Sequence, residues 1–467
     1  MQQFNSPLEA FLHWESKTPD APFLNQPISG ELRCYSFKDA GTEARKMASA
    51  LHSYNLSKRS HIALLSKNCA HWHIADLAIM MAGHISIPIY PTLNSQSINQ
   101  ILVHSDAKAI IIGKLDDFKS QESGIPKIHK LSIGLYGNTV GDLWEDFLQN
   151  REPLLELPKF KSEDLHTIIY TSGTTGDPKG VMHSVGNFME SVRGLVTLFD
   201  LEEHSKLFSY LPIAHIAERL LETLSFVLGA QVTFPESLET FAVDLERTQP
   251  DAFFAVPRIW SKFQEKILEK LPQKKLNTLL KVPFLNVFIK KKLQQKLGLV
   301  QAKFILSGAA PLAPSLTSWF ETIGISIQQV YGMTEDCCIS HCNTPEASRL
   351  GTVGKSLEHV KVKLSPEGEI CIMNNCLMLG YYKSAEATAS IFDEDGYLKT
   401  GDIGEYDHDG FLTITGRVKD QFKTDKGKYI SPAPLELQMS KNTDIEQICI
   451  VGTGIPQPIA LITLSQM

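Results

Sequence analysis

The sequence predicts an α/β protein built on parallel sheets, with a smaller β region toward its C-terminal end. Three observations carry that expectation. As far as residue 307, stretches with apolar residues at helical spacing alternate with short apolar runs bounded by turn residues, the rhythm of repeated strand–helix–strand units. After Val360 the rhythm changes to short strands with tight turns, such as Ser365-Pro366-Glu367-Gly368 and Asp407-His408-Asp409-Gly410. The length of 467 residues suggests two or more domains rather than one.

Taken in order, residues 37–54 place their apolar positions on one helical face, and 61–65 (His-Ile-Ala-Leu-Leu) read as a strand. Residues 69–83 read as a second helix, and 85–89 as a strand closed by Tyr90-Pro91. A further apolar strand covers 107–113, and the β-rich run 166–170 (His-Thr-Ile-Ile-Tyr) reads as a buried strand. The pattern continues through strands at 230–234, 252–256 and 303–307. The short strands past Val360 look like a β subdomain ending near Gly416.

Composition narrows the function classes. A hydrophobic fraction of 43% and a charged fraction of 21% are ordinary for a globular enzyme. The net charge of −7 argues against a nucleic-acid binder, whose footprint is a basic excess. Residues 1–22 carry acids before any base and no long apolar core, unlike a signal peptide. The best apolar run, 77–83, is far too short to cross a bilayer, so cytoplasm is the expected location. The eight cysteines are scattered and expected to be free thiols. Cys337, Cys338, His341 and Cys342 cluster, but their spacing lacks a clean zinc pattern, and packing thiols are the better reading.

The densest chemical signal follows strand 166–170: Tyr170-Thr171-Ser172-Gly173-Thr174-Thr175-Gly176-Asp177-Pro178-Lys179-Gly180. Glycines let the backbone approach a ligand closely, so that amide N–H groups can face phosphate oxygens. The hydroxyls of Thr171, Ser172, Thr174 and Thr175 add donors, and Lys179 adds a point charge. The loop is not a Walker A motif, in which lysine is followed by Ser or Thr at a helix start. Here Lys179 sits between Pro178 and Gly180, and Pro178 holds Asp177 extended, so no helix starts there. A glycine-rich hairpin tip is the plainer alternative.

This segment resembles the phosphate-binding signature of the adenylate-forming (AMP-binding) superfamily, which includes acyl-CoA synthetases, firefly luciferase and peptide-synthetase adenylation domains. Four further blocks resemble the same superfamily in the same order. They are Ser307-Gly308-Ala309-Ala310-Pro311, Tyr331-Gly332-Met333-Thr334-Glu335, Thr400-Gly401-Asp402 and Gly416-Arg417-Val418-Lys419-Asp420. The resemblance implies a large N-terminal adenylation domain over 1–416, made of two α/β subdomains with parallel sheets plus a β subdomain at approximately 360–416. Residues 417–467 would be the hinge and the truncated start of an α+β C-terminal domain, a stretch too short for a core of its own.

The resemblance also implies roles. Thr171, Ser172, Gly173, Thr174, Thr175, Gly176 and Lys179 would hold the β- and γ-phosphates of ATP. Glu335 matches the magnesium-binding glutamate, Thr334 would donate to the α-phosphate, and Gly308, Ala309, Ala310, Tyr331 and Gly332 would form the adenine side. Asp402 and Arg417 would bind the ribose, and Asp420 would be the hinge about which the C-terminal part turns. Taken singly, Glu335 reads as a solvated helix-start acid, and Asp402 and Arg417 as surface charges. The reaction implied is attack of a carboxylate on the α-phosphorus, giving an acyl-adenylate and pyrophosphate, followed by attack of the coenzyme A thiol. ATP, Mg²⁺ and coenzyme A are therefore the expected cofactor and co-substrates.

Residues 211–219 (Leu-Pro-Ile-Ala-His-Ile-Ala-Glu-Arg), 256–260 (Val-Pro-Arg-Ile-Trp) and 427–432 (Gly-Lys-Tyr-Ile-Ser-Pro) resemble the long-chain fatty acid–CoA ligase branch, in which the position of His215 lies by the acyl carboxylate. A buried structural histidine is an equal reading of His215. No residue matches the lysine that the family carries in a glycine-lysine motif late in its C-terminal domain. Two alternatives follow: a fatty acyl-AMP ligase loading a carrier protein, and a catalytically weak nucleotide- or acyl-binding homologue. The lysine-rich tract 262–296 reads as exposed helices with an apolar face packed on the domain, broken at Pro272 and Pro283. Peripheral membrane contact is the competing reading. No oligomeric state is legible, a dimer included.

Overall fold

The computed structural model describes residues 2–171, 178–337, 339–439, 442 and 445–464. The chain divides into two units. The first contains Met1–Asp251 and Asn375–Thr388; the second contains Ala252–Asn374 and Ala389–Met467.

In the first unit the helix Phe37–Ser53 begins where its cap is encoded. Ser36 Oγ accepts the Asp39 N–H at 3.1 Å while Asp39 Oδ2 accepts the Ser36 N–H at 3.0 Å, a reciprocal capping box. The helix Ala70–Met81 is buried on every side, which explains why its sequence shows no polar face. Among the described residues the largest sheet has eight strands. Their order is Gly380–Tyr381, Lys179–Ser184, Leu165–Thr171, Ile85–Ile89, His61–Leu65, Ala109–Ile112, His129–Ser132 and Asp142–Leu143. Its core is aliphatic, with Ala63, Leu65, Ile87, Ile110, Ile112 and Ile168 all buried. A second sheet orders Lys206–Phe208, Gln231–Thr233, Pro22–Ile28 and Glu31–Ser36.

In the second unit, Ala252–Ala255, Phe304–Ser307 and Gln328–Tyr331 run parallel, followed by antiparallel His341–Cys342 and Lys355–Ser356. Lys361–Leu364, Glu369–Met373, Leu398–Tyr406 and Leu412–Arg417 form an antiparallel sheet. Two hairpins follow, Phe422–Lys423 with Tyr429–Ile430 and Ile445–Val451 with Ile459–Leu464.

The expected α/β architecture on parallel sheets is met, and each of the larger α/β sheets also carries antiparallel strands. The reason is connection length. A parallel pair needs a crossover of about a dozen residues or more, and the link between Leu165–Thr171 and Lys179–Ser184 is too short for one. Strand Gly380–Tyr381 lies between β segments of the second unit in sequence but pairs with Lys179–Ser184 of the first.

The lysine-rich tract forms three helices, Pro257–Lys270, Gln273–Leu280 and Leu285–Lys296, separated near Pro272 and Pro283 as expected. Trp260, Phe263 and Ile267 of the first and Leu276 of the second are buried. The third buries none of its residues, so the expected packed apolar face stops before it. Among the described residues no helix is long and apolar enough to cross a membrane.

Candidate active site

The candidate residues fall into two groups, one in each unit. In the first unit the strands Leu165–Thr171 and Lys179–Ser184 are antiparallel, with Thr171 opposite Lys179 and Tyr170 opposite Gly180. Lys179 thus opens a strand rather than a helix, as Pro178 suggested. Ser172, Gly173, Thr174, Thr175, Gly176 and Asp177 lie outside the described residues. At Gly180 a Cβ would stand 2.8 Å from Ile168 Cγ2 and 3.2 Å from the Tyr170 ring, so only glycine fits there. Lys179 Nζ lies 4.8 Å from the centre of the Tyr381 ring, a cation–π contact. Tyr381 is held there by strand pairing, with Tyr382 N–H donating to Gly180 O at 2.8 Å. Sequence reasoning missed Tyr381, because nothing local ties it to a lysine some two hundred positions away.

His215 is the N-cap of the helix Ile216–Leu228, its Nδ1 accepting the Ala217 N–H at 3.2 Å. An accepting Nδ1 places the ring proton on Nε2. Burial holds the imidazole below its ordinary value, so it is neutral at neutral pH and Nε2 is a donor. One turn later the helix turns wholly inward: Glu218, Arg219 and Glu222 are all buried. Arg219 Nη1 lies 2.9 Å from Asp76 Oδ2, also bonds Glu222, and its guanidinium sits 5.0 Å from the Trp72 ring centre. Burial raises the Glu222 carboxyl well above its usual range, whereas Arg219 keeps Asp76 low despite its burial. Glu218 is pushed up to about 8 by burial. One buried cation is thus balanced by one carboxylate, and the neighbouring acids keep their protons.

In the second unit the groups leave from the carboxyl ends of neighbouring parallel strands, where open α/β sheets bind ligands. Gly308 follows Phe304–Ser307, and a Cβ there would meet Val330 Cγ2 at 2.9 Å and Val330 O at 3.0 Å. Ala309 carries a φ of 65°, a left-handed backbone uncommon for alanine, and it is exposed together with Ala310. Tyr331 ends the next strand, and its Oη donates to Asp402 Oδ2 at 2.8 Å. Arg417 Nε stands 2.9 Å from the other oxygen, Asp402 Oδ1. Asp402 and Arg417 face each other across the antiparallel pair Leu398–Tyr406 and Leu412–Arg417. The structure thus brings Tyr331, Asp402 and Arg417 together. Burial raises the Asp402 carboxyl, an effect that Arg417 opposes. Burial and the adjoining carboxylate push the Tyr331 phenol up.

Gly332 and Met333 lead from Tyr331 into a one-turn 3₁₀ helix, Thr334–Asp336, whose three side chains are buried. Asp336 Oδ1 accepts the Met333 N–H at 2.9 Å, closing the turn. Glu335 is only 8% exposed, which replaces the reading of a solvated helix-start acid. Among the described residues no three His, Cys, Asp or Glu side chains gather as a metal cage. A magnesium ion needs none when one or two carboxylates and substrate phosphates hold it, and the hard oxygens of Glu335 fit that use. Asp420 is exposed, its N–H donating to Arg417 O at 3.2 Å.

Of the clustered cysteines and histidine, His341 and Cys342 lie on the strand that pairs with Gln328–Tyr331. His341 Nε2 is 2.7 Å from Tyr406 Oη, and burial holds the ring down to about 4. Burial pushes the Cys342 thiol up to about 12, as expected of a packing thiol, and Cys338 lies outside the described residues. Among the described residues no cysteine is disulfide-bonded.

Comparison with known proteins gives the context for these groups. The AMP-binding enzyme family matches residues 11–382. Long chain acyl-CoA synthetase 3 of Arabidopsis thaliana is 30% identical over 94% of this chain and 75% of its own length. Long-chain-fatty-acid–CoA ligase FadD15 of Mycobacterium bovis is 27% identical over 96% of this chain and 80% of its own. Among solved structures, o-succinylbenzoate CoA synthetase from Bacillus subtilis, in complex with an acyl-adenylate intermediate, superimposes with a TM-score of 0.80 at 21% identity. That match covers 100% of this chain and 90% of the other, and it bears on the fold. A didomain of carboxylic acid reductase from Segniliparus rugosus, in complex with AMP, gives a TM-score of 0.81 at 20% identity, covering 100% and 72%. The chain belongs to the AMP-binding, adenylate-forming enzyme family and is a distant homologue of long-chain acyl-CoA synthetases over most of its length.

Proposed function

We propose that this protein activates a long-chain fatty acid with ATP and transfers the acyl group to coenzyme A. The observation that carries the reading is the Tyr331–Asp402–Arg417 cluster, which sets a tyrosine ring beside a carboxylate with hydrogen-bonding capacity to spare. Each Asp402 oxygen has one lone pair used, so the second remains for a ribose hydroxyl, and the Tyr331 ring offers a stacking face for adenine. Thr171 and Lys179 would engage the β- and γ-phosphates from the hairpin, and Thr334 would donate to the α-phosphate. Glu335 would hold Mg²⁺, which supplies positive charge shared among the phosphate oxygens.

In this reading the carboxylate of the fatty acid attacks the α-phosphorus, the bond to the bridging oxygen breaks, and pyrophosphate leaves. Two anions must meet, so the residues work by placing donors and positive charge where negative charge builds. His215, neutral with its proton on Nε2, would donate to the acyl carboxylate and orient it. The thiol of coenzyme A then attacks the acyl carbon and AMP leaves. Residues 417–467 would turn about Asp420 between the two steps. The fatty-acid assignment draws on the relatives named long-chain acyl-CoA synthetases.

The test is palmitate-dependent exchange of pyrophosphate into ATP, followed by acyl-CoA formation once coenzyme A is added. Lys179→Ala should weaken ATP affinity by about tenfold, the loss of one phosphate contact worth roughly 1.4 kcal/mol. Exchange without acyl-CoA would reassign the acceptor to a carrier protein. ATP binding without exchange would leave a binding homologue.

A further inference from the structure

We propose that the tip between the helices Gln273–Leu280 and Leu285–Lys296 docks on an anionic lipid surface, with Phe284 and Phe288 entering the interface and the surrounding lysines meeting the headgroups. Charge is the first observation. The chain is net −7, yet between Glu269 and Glu321 it contains no acidic residue. That interval holds Lys274, Lys275, Lys281, Lys290, Lys291 and Lys292 among others, and all of these but the half-buried Lys290 are exposed. The basic segment therefore stands against the charge of the whole protein, where a generally solvated surface would mix both signs.

The second observation is apolar exposure at the same place. Phe284 is 90% exposed, and Val282, Val287 and Phe288 are exposed with it. Phe284, Val287 and Phe288 stand three and four positions apart, the spacing of one helical face. Single exposed apolar residues need no explanation, but four within seven positions at one tip form a patch. The base of the tip is anchored: Leu276 is buried, and Gln294 Nε2 donates to Ile323 O at 3.1 Å and Gly324 O at 2.9 Å.

Backbone geometry adds a third. Phe284 has φ 63° and ψ −40°, and the Leu285 N–H donates to Pro283 O at 2.8 Å across it. This is the strained, positive-φ γ-turn, which glycine or asparagine would relieve. A bulky aromatic side chain at a strained and fully solvated position gains nothing from the folded chain itself, and strain of this kind points to function.

The chemistry selects lipid among the candidate occupants. Lysine is depleted in the cores of protein–protein interfaces, which disfavours a protein partner or a second copy. The same interval contains no arginine, the residue best suited to bidentate phosphate recognition in nucleic acids. Aromatic side chains flanked by lysines, whose stems lie along an apolar surface while their heads reach the headgroups, match a membrane interface.

The test is co-sedimentation of the full chain with phosphatidylcholine vesicles, with and without phosphatidylserine, in the absence of ATP and fatty acid. Because neither substrate is present, its failure leaves the proposed reaction standing. Binding should require phosphatidylserine and weaken with salt. Lys290→Glu/Lys291→Glu/Lys292→Glu should lower vesicle affinity by about 100-fold or more, since each lysine near such a surface contributes about fivefold. Phe284→Ser/Phe288→Ser should lower it about tenfold or more while leaving retention on heparin, a soluble polyanion, unchanged. Phe284, Phe288, Lys291 and Lys292 are exposed and Lys290 is half-buried, so unaltered thermal melting is the expected control. Absence of binding to phosphatidylserine vesicles overturns the proposal. So does vesicle binding indifferent to the phenylalanine substitutions, which would indicate a site for any polyanion. Self-association abolished by those same substitutions would assign the patch to a second copy instead.

Discussion

Arg219 and Arg417 each stand 2.9 Å from an aspartate oxygen, one in each unit of the molecule. Arg219 and Asp76 are both 1% exposed, whereas Arg417 is 65% exposed and Asp402 is 9%. Equal distances therefore describe two different devices. The first pair has been taken out of water entirely, at a desolvation cost that only the complete arrangement of Arg219, Asp76, Glu222 and Trp72 offsets. No ligand can exchange with it. In the second pair the guanidinium still trades partners with solvent, so a ligand hydroxyl can join Asp402 at little cost. Exposure, more than geometry, separates an ion pair that holds the fold from one that can serve a substrate.

The largest expected effect tests the sealed side. Arg219→Met leaves Asp76 buried without its counter-charge and should destabilise the protein by about 3–5 kcal/mol in urea unfolding. Adding Asp76→Leu to the same chain should recover part of that loss. A single-variant loss under about 1 kcal/mol would make the buried pair no costlier to break than an exposed one. On the open side, Asp402→Asn removes charge-assisted acceptors and should weaken ATP binding by about 10- to 100-fold in titration calorimetry, with the fold intact.

A smaller effect comes from pH. Glu218 keeps its proton in the folded state up to about 8, while the unfolded chain releases it near 4.5, so the folded state binds the extra proton between those values. Stability from this group is complete below the lower value and is lost as pH rises through the upper one. His73 and His166, held down to about 3 by burial, contribute with the opposite sign, but their effect is complete above 6.5. Thermal stability should therefore fall between about pH 6.5 and 8. Glu218→Gln should flatten the slope, leaving a remainder from Glu222, whose carboxyl is raised in the same direction. A level wild-type profile would mean that these acids are ionised. The smallest effect is that of Arg417→Ala on stability, about 1 kcal/mol or less, because the guanidinium is exposed and water can replace it beside Asp402.

What the sequence made legible follows the same division between local and distant. The helix Phe37–Ser53 and the strands His61–Leu65 and Ile85–Ile89 were readable to within a residue, because caps, turn residues and apolar periodicity act over a few positions. Tyr331, Asp402 and Arg417 were each marked by a motif, and folding brings the first and last within hydrogen-bonding distance of Asp402. Illegible features depend on partners remote in the chain. Asp76 meets Arg219 across more than a hundred residues, and neither sits in a sequence pattern that names the other. Taken singly, Glu335 reads as a solvated acid, since burial is a property of the surrounding fold. The exposure of Phe284 was hidden because its amphipathic spacing also fits a packed helix.

Strand Gly380–Tyr381 has one further consequence, for how the chain can be cut. It supplies the outermost rung beside Lys179–Ser184, although it is made long after the rest of the first unit has left the ribosome. A fragment ending at Asp251 would expose the amide edge of Lys179–Ser184 and deprive Lys179 of the ring it faces, inviting pairing with other chains. Circular permutation or limited proteolysis would then be a gentler dissection than truncation, because either can leave that late rung in place.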